Sequence, residues 1–247
     1  MSERPGLDLG RPRDVVELLR DAGNVFFRHP ETVLVLGAAI VIPVELVVLG
    51  VGLEQLSGPY EARVSNAELG VSTAVSFFVI VPLVTAAVIG VLDDDARGER
   101  PRAGRSLQAA LDAFAPLLGA LVLAALGIAL GLLALILPGI YLLVRWYFVP
   151  QAVMVAGERG RGALEASAST VQGSWWRTAG IVLLVNLLLA GIGLLVLAPV
   201  RAAAEAADRE AVALAGTIVL DIVTVTYTAV VSTLLFHDLR ARKSLGL

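Results

Sequence analysis

"LILPGIYLLVRWYFVPQAVMVAGERG" (residues 135–160) is the stretch on which the reading of the fold turns. It overlaps a run, residues 113–144, that contains no charged side chain. At about 1.5 Å of helix per residue, that run is too long for a single crossing of a hydrocarbon layer about 30 Å thick. Pro138-Gly139 sits inside it, and Pro and Gly together signal a turn. The run therefore reads as a hairpin turning at Pro138-Gly139, with one arm over 116–137 and the other over 140–156. Arg145, six residues beyond Gly139, is then a lone guanidinium among aliphatic and aromatic neighbours.

The remaining composition agrees with a membrane chain. Of 247 residues, 57% are hydrophobic and 17% charged, against about half and a quarter in soluble domains. Four further apolar runs have spanning length, at 32–53, 71–92, 178–199 and 211–236. Prolines within them are tolerable where neighbouring helices rescue the freed carbonyls. Loop arginines and lysines prefer the cytoplasm. Six spans with the N-terminus inside place 15 of these residues on the inner segments and 3 on the outer ones. Merging the two arms into one span changes that to 11 against 7, so the hairpin reading is preferred. The fold expected is all-α and polytopic. It has a cytoplasmic N-terminal segment (1–31), a six-helix transmembrane domain (32–236) and a cytoplasmic tail (237–247). The charged N-terminus lacks an apolar core near its start and does not read as a cleavable signal peptide.

Short amphipathic stretches precede the first, third and fifth spans. Val15, Leu18, Leu19, Ala22, Val25 and Phe26 form one stripe at helical spacing. Leu107, Ala110, Leu111 and Phe114 form the second, and Leu164, Ala168, Val171 and Trp175 the third. Such stripes suit helices lying in the membrane interface. The chain thus reads as three units, each an interfacial helix followed by a transmembrane hairpin. A helix that simply leads into a span would show the same pattern. Trp175 and Trp176, followed by Arg177, read as an interfacial belt at the inner end of the fifth span; an aromatic ligand platform is the alternative.

Four strongly polar side chains fall inside the spans: Glu45, Arg145, Asn186 and Asp221. A charge near the bilayer centre costs at least about 2.5–3.5 kcal/mol, so such groups face partners, protein or water. Counted from the outer ends of their spans, Glu45, Arg145 and Asp221 come to a common layer roughly 9–15 Å deep. The expectation is one intramembrane cluster in which the guanidinium bridges two carboxylates. Its role is either to lock helices in register or to hold a cation, a proton or a lipid headgroup. Asn186 reads as an interhelical hydrogen-bonding residue.

Other chemistries find little to stand on. Cysteine is absent, which excludes disulfides and thiolate metal sites. His29 and His237 lack metal-ligand partners at suitable spacing, so no metal or cofactor is expected. His29, before Pro30, reads as a capping or interface residue. Asp93, Asp94 and Asp95 read as a solvated helix end rather than a cation site. There is no nucleophile elbow, P-loop or dinucleotide fingerprint, and a net charge of −3 does not point to nucleic acid.

"DVVELLRDAGNVFFRHPETVLVLGAAIVIP", the block "LPGIYLLVRWYFVP" with "EASASTVQGSWW", and a final "LLFHDLR" together carry a family likeness. Over nearly the whole chain the sequence resembles the bacterial six-helix family known as the glycerophosphodiester phosphodiesterase membrane domain and its YciC-like relatives. Mapped on this chain, the family's signature residues are Pro138, Gly139, Arg145, Trp146, Pro150, Gly173 and Trp175. Some members carry the region ahead of a soluble phosphodiesterase domain. That domain's His-Arg catalytic dipeptide does not occur in this sequence. The resemblance implies a stand-alone membrane module without catalysis, and it does not call for Glu45 or Asp221 as partners of Arg145. The expected function is a non-enzymatic plasma-membrane module, both termini cytoplasmic, that organises lipids or envelope partners. Its partners are the bilayer and, in that role, lipid headgroups or other membrane proteins. The alternative is a small transporter or channel using the layer around Arg145.

Overall fold

The computed structural model describes residues 7–48 and 66–246. Residues 49–53 of the expected first span lie outside that range, as do the expected inner Arg4 and outer Arg63. The described residues form eleven α-helices and no strand. In chain order these are α1 (Val15–Arg28), α2 (Pro30–Val48), α3 (Asn66–Val75), α4 (Val81–Ala96), α5 (Ala103–Asp112), α6 (Phe114–Ala134), α7 (Ile136–Arg145), α8 (Val149–Ala156), α9 (Arg161–Val171), α10 (Trp175–Ala206) and α11 (Glu210–Ser244). Among the described residues, six stretches are long and apolar enough to cross a membrane: Pro30–Val47, Gly70–Ala96, Phe114–Ala134, Ile136–Ala156, Trp175–Ala206 and Ala211–Ser244.

Local chemistry sets the helix ends. Asp14 and Glu17 form a reciprocal capping box at the start of α1, satisfying two otherwise orphaned N–H groups. Gly157 (φ 70°) and Gly173 (φ 84°) close α8 and α9 in the left-handed conformation that glycine adopts without a Cβ penalty. The residues 146–148 interrupt what the sequence reads as one arm. Pro150 cannot donate to the preceding turn, so the helix stops at Arg145 and restarts with Pro150 in the first turn of α8.

The reversal between α6 and α7 departs from expectation. The break is the extended residue Leu135 (φ −162°, ψ 143°), not Pro138-Gly139. Pro138 lies in the first turn of α7, where a missing N–H costs nothing and its fixed φ favours helix. Gly139 has a packing role instead. A Cβ there would strike the Leu132 side chain and backbone, and the Cβ position of Gly131 lies 3.1 Å from Gly139. Gly127 likewise gives room to the Trp146 ring.

The core centres on the second half of α11, where Val230, Leu234, Leu235, Phe236 and Leu239 are buried. The apolar stripe of α1 is covered by protein: Leu18, Ala22, Val25 and Phe26 are buried, and the Phe26 ring meets Tyr227 of α11 edge-on at 5.9 Å. Burying a side chain such as Phe26 contributes about 1.5–3 kcal/mol, so α1 docks on the bundle. The second stripe is shorter than expected: Ala110 is buried while Leu111 is 55% exposed. In the third, Trp175 belongs to the next helix, and α9 buries Ser167 and Thr170 beside Ala168 and Val171.

Asp94 and Asp95 are not solvated. Both are buried. Asp95 meets Arg28 and His29 at 3.4 and 3.0 Å, tying α4 to the junction of α1 and α2, where His29 caps α1. Asp94 binds Arg97 at 2.5 Å and Arg105 at 3.5 Å.

Candidate functional site

Both described ends of the chain meet at Asp238, a fully buried carboxylate near the end of α11. It accepts the Arg13 backbone N–H at 2.6 Å and side-chain hydrogen bonds from Arg177 and Arg242. Those two guanidinium groups also donate to the Arg13 carbonyl, at 2.7 and 2.6 Å. The buried Arg13 side chain in turn binds Asp21 at 2.8 Å. Burial alone would raise the Asp21 pKa, but hydrogen bonds from Arg13 and Arg11 outweigh it and hold the carboxyl below its usual 3.8. This knot defines one side of the molecule, the terminal side. Sequence reading assigned Asp238 no role. The signal was a carboxylate within two residues of the end of an apolar run, with basic residues in "HDLRARK" after it.

Arg145 lies close to that same side. Trp175, two residues before Arg177, donates its indole N–H to the Tyr141 carbonyl at 3.2 Å. Tyr141 and Trp175 stack with ring centroids 6.0 Å apart. One turn of helix from Tyr141, the Arg145 Nη1 donates to the Tyr141 hydroxyl at 2.7 Å, and its Cζ sits 5.7 Å from that ring's centroid. Ser167 fixes the backbone around it. Its hydroxyl donates to the Arg145 carbonyl at 3.0 Å and accepts the Phe148 N–H at 3.1 Å. Arg145 is also the last residue of α7, where a cation complements the negative end of the helix dipole.

The expected cluster is therefore not assembled. Among the described residues, no carboxylate lies within ion-pair distance of Arg145, and no hydrogen bond joins it to Glu45 or Asp221. The depth count assumed a turn at the far surface. The contact with Trp175 holds α7 near the terminal side instead. Glu45 is buried, and among the described residues neither it nor Asp221 forms an ion pair with the guanidinium. Asn186 is also satisfied differently, donating to the Val182 carbonyl of its own helix at 2.8 Å rather than across helices.

Two cavities flank the break at 146–148. The smaller, about 170 Å³, is lined by Tyr141, Arg145, Gln172, Gly173 and Trp175, with Ala168 and Val171 behind them. Arg145 is the one charged group among its described lining residues. The larger, about 620 Å³, opens between α4, α10 and α11, with Tyr147, Pro150 and Gln151 on its floor. Of the signature residues, Arg145, Gly173 and Trp175 thus share the small cavity and Pro150 borders the large one. Trp146 packs on Gly127, and Gly139 on Leu132. Among the described residues, no three His, Cys, Asp or Glu side chains gather to hold a metal ion.

No family model, curated protein or solved structure matches the chain.

Proposed function

We propose that this is a non-enzymatic membrane module that organises anionic lipid in the leaflet on its terminal side, with Arg145 as the headgroup contact. The observation that carries the reading is the Arg145 guanidinium itself. It faces a small cavity beside Trp175, and its side-chain partner is the neutral Tyr141. Arginine's planar fork suits phosphate, and tryptophans such as Trp175 and the 83%-exposed Trp176 are typical of the headgroup level.

The reading includes a topology. α7 is 10 residues long, about 15 Å of helix, and Leu135 is only about 9 Å of helix from Tyr141. A far surface about 30 Å away is out of reach from there. Leu133, Leu135, Ile136 and Leu137 around the tip are 68–84% exposed and apolar. They suit hydrocarbon, so α6 and α7 form a slanted hairpin within the terminal-side leaflet, while four helical spans cross. Such a hairpin returns to its starting side, so the excess of loop arginines stays where a crossing hairpin would leave it. By that excess the terminal side is cytoplasmic; the assignment to a bacterial plasma membrane is what the resemblance to the six-helix phosphodiesterase membrane-domain family implies.

Purified full-length protein, equilibrated with equal phosphatidylglycerol and phosphatidylcholine, tests the assignment by native mass spectrometry. Retained phosphatidylglycerol that falls at least about tenfold in Arg145→Gln, equivalent to about 1.4 kcal/mol, supports it. Equal retention of both lipids, or retention unchanged in Arg145→Gln, overturns it.

A further inference from the structure

We infer that the larger cavity is a binding site for a neutral, single-chain amphiphile bearing a hydroxyl group. This does not rest on the reading of Arg145, which faces the other cavity.

The cavity is graded from end to end. Its floor carries Tyr147, Gln151 and Ser232, and its opposite end carries Leu194, Leu197 and Leu220. Leu220 and Ser232 are 12 residues apart on α11, so the cavity runs about 18 Å along that helix. Between them the lining is mainly apolar, and the polar groups Thr85, Asn186 and Thr224 donate back to carbonyls of their own helices, so the cavity complements a head and a chain.

Gln151 points to what the head must be. The side chain is 1% exposed. Its Nε2 donates to the Ser232 hydroxyl at 3.0 Å, but its Oε1 is buried with no hydrogen-bond partner among the described residues. A buried acceptor without a donor costs about 1–3 kcal/mol, and because Gln151 lines the cavity, a bound hydroxyl toward which its amide turns would satisfy it. None of the described lining residues is charged, so nothing there compensates a phosphate, carboxylate or ammonium taken out of water. The head is therefore small and uncharged, as in a long-chain alcohol.

The volume suits such a chain: about 620 Å³ is within the usual range of small-molecule sites, roughly 300–1,000 Å³. The site also follows from the break after α7: Tyr147 and the start of α8 line one end of the space between α4, α10 and α11.

Photolabelling of the full-length protein in phosphatidylcholine nanodiscs tests the inference, with a diazirine-bearing oleyl alcohol as probe. Label is expected on Leu194, Leu197 and Leu220, displaced by excess oleyl alcohol but not by oleylamine or oleyl phosphate. Gln151→Leu is expected to cut labelling about fivefold, in line with one lost hydrogen bond, and Ala190→Phe, which fills the cavity, to abolish it. Label spread evenly onto Leu183 and Leu187 outside the cavity, or unchanged in both variants, overturns the inference. So does an unlabelled cavity in a particle with the mass of two chains, which would make a second copy the occupant. Displacement in the wild-type protein decides the matter even if a variant fails to fold.

Discussion

Replacing Asp238 by Asn probes the joint that holds the two ends of the chain together. The variant keeps the shape and an oxygen for the Arg13 N–H, but removes the charge facing Arg177 and Arg242. Hydrogen bonds to charged groups are worth about 1.5–3 kcal/mol each, against about 0.5–1.5 for neutral ones, so each arginine loses about 1–1.5 kcal/mol. Breaking a fully buried pair costs about 3–5 kcal/mol. That is an upper bound, because the Arg177 and Arg242 side chains are 26% and 24% exposed and recover hydration. The expected loss is about 2–3 kcal/mol, or a fall in Tm of about 4–12 °C for a chain of this size. Circular-dichroism melts of the full-length protein in detergent measure it. Arg242→Gln, alone and combined with Asp238→Asn, completes a double-mutant cycle. The double variant should lose about 1 kcal/mol less than the sum of the singles, because the two changes remove one shared interaction. A Tm within about 1 °C of wild type, or strictly additive losses, would refute the idea that Asp238 ties the ends.

Gly139→Ala places a methyl group against Leu132 and should destabilise the α6–α7 contact by about 1–3 kcal/mol, the usual cost of overpacking; faster hydrogen exchange in α7 would report it. Ser167→Ala leaves the Phe148 N–H and the Arg145 carbonyl without their shared partner, at about 1–3 kcal/mol, and should raise proteolysis at the 146–148 break. The Asp21 carboxyl, held below 3.8 when folded, contributes stability that is fully present above pH 3.8 and is lost as pH falls through the folded value. The wild-type Tm should therefore drop on acidification below about pH 4, and Asp21→Asn should flatten that limb.

The long apolar runs and the arginine-rich loops were legible in the sequence because length, hydropathy and loop charge are local properties. Leu135 was not. Pro138-Gly139 carries the stronger turn signal, but proline in the first turn of α7 and glycine at a close helix crossing use the same two residues for other ends. The cluster of Glu45, Arg145 and Asp221 failed for a related reason. Depth counted along a span presumed that Gly139 marks the turn, whereas the turn is at Leu135 and a hydrogen bond from Trp175 to Tyr141 ties α7 to the start of α10. Asp238 and Gln151 were passed over because their meaning depends on groups from opposite ends of the chain, which no local pattern announces.

The account rests on the hairpin of α6 and α7 staying in the terminal-side leaflet. The sequence contains no cysteine, so single cysteines can be placed freely and reacted with a membrane-impermeant maleimide in sealed, oriented vesicles. Cysteine at Ala207, in the turn between α10 and α11, should react only from the far side, and at Ser244 only from the terminal side. At Leu135 it should be protected from both, becoming reactive once detergent dissolves the bilayer. Labelling of Leu135 from the far side, as strong as that of Ala207, would contradict the account.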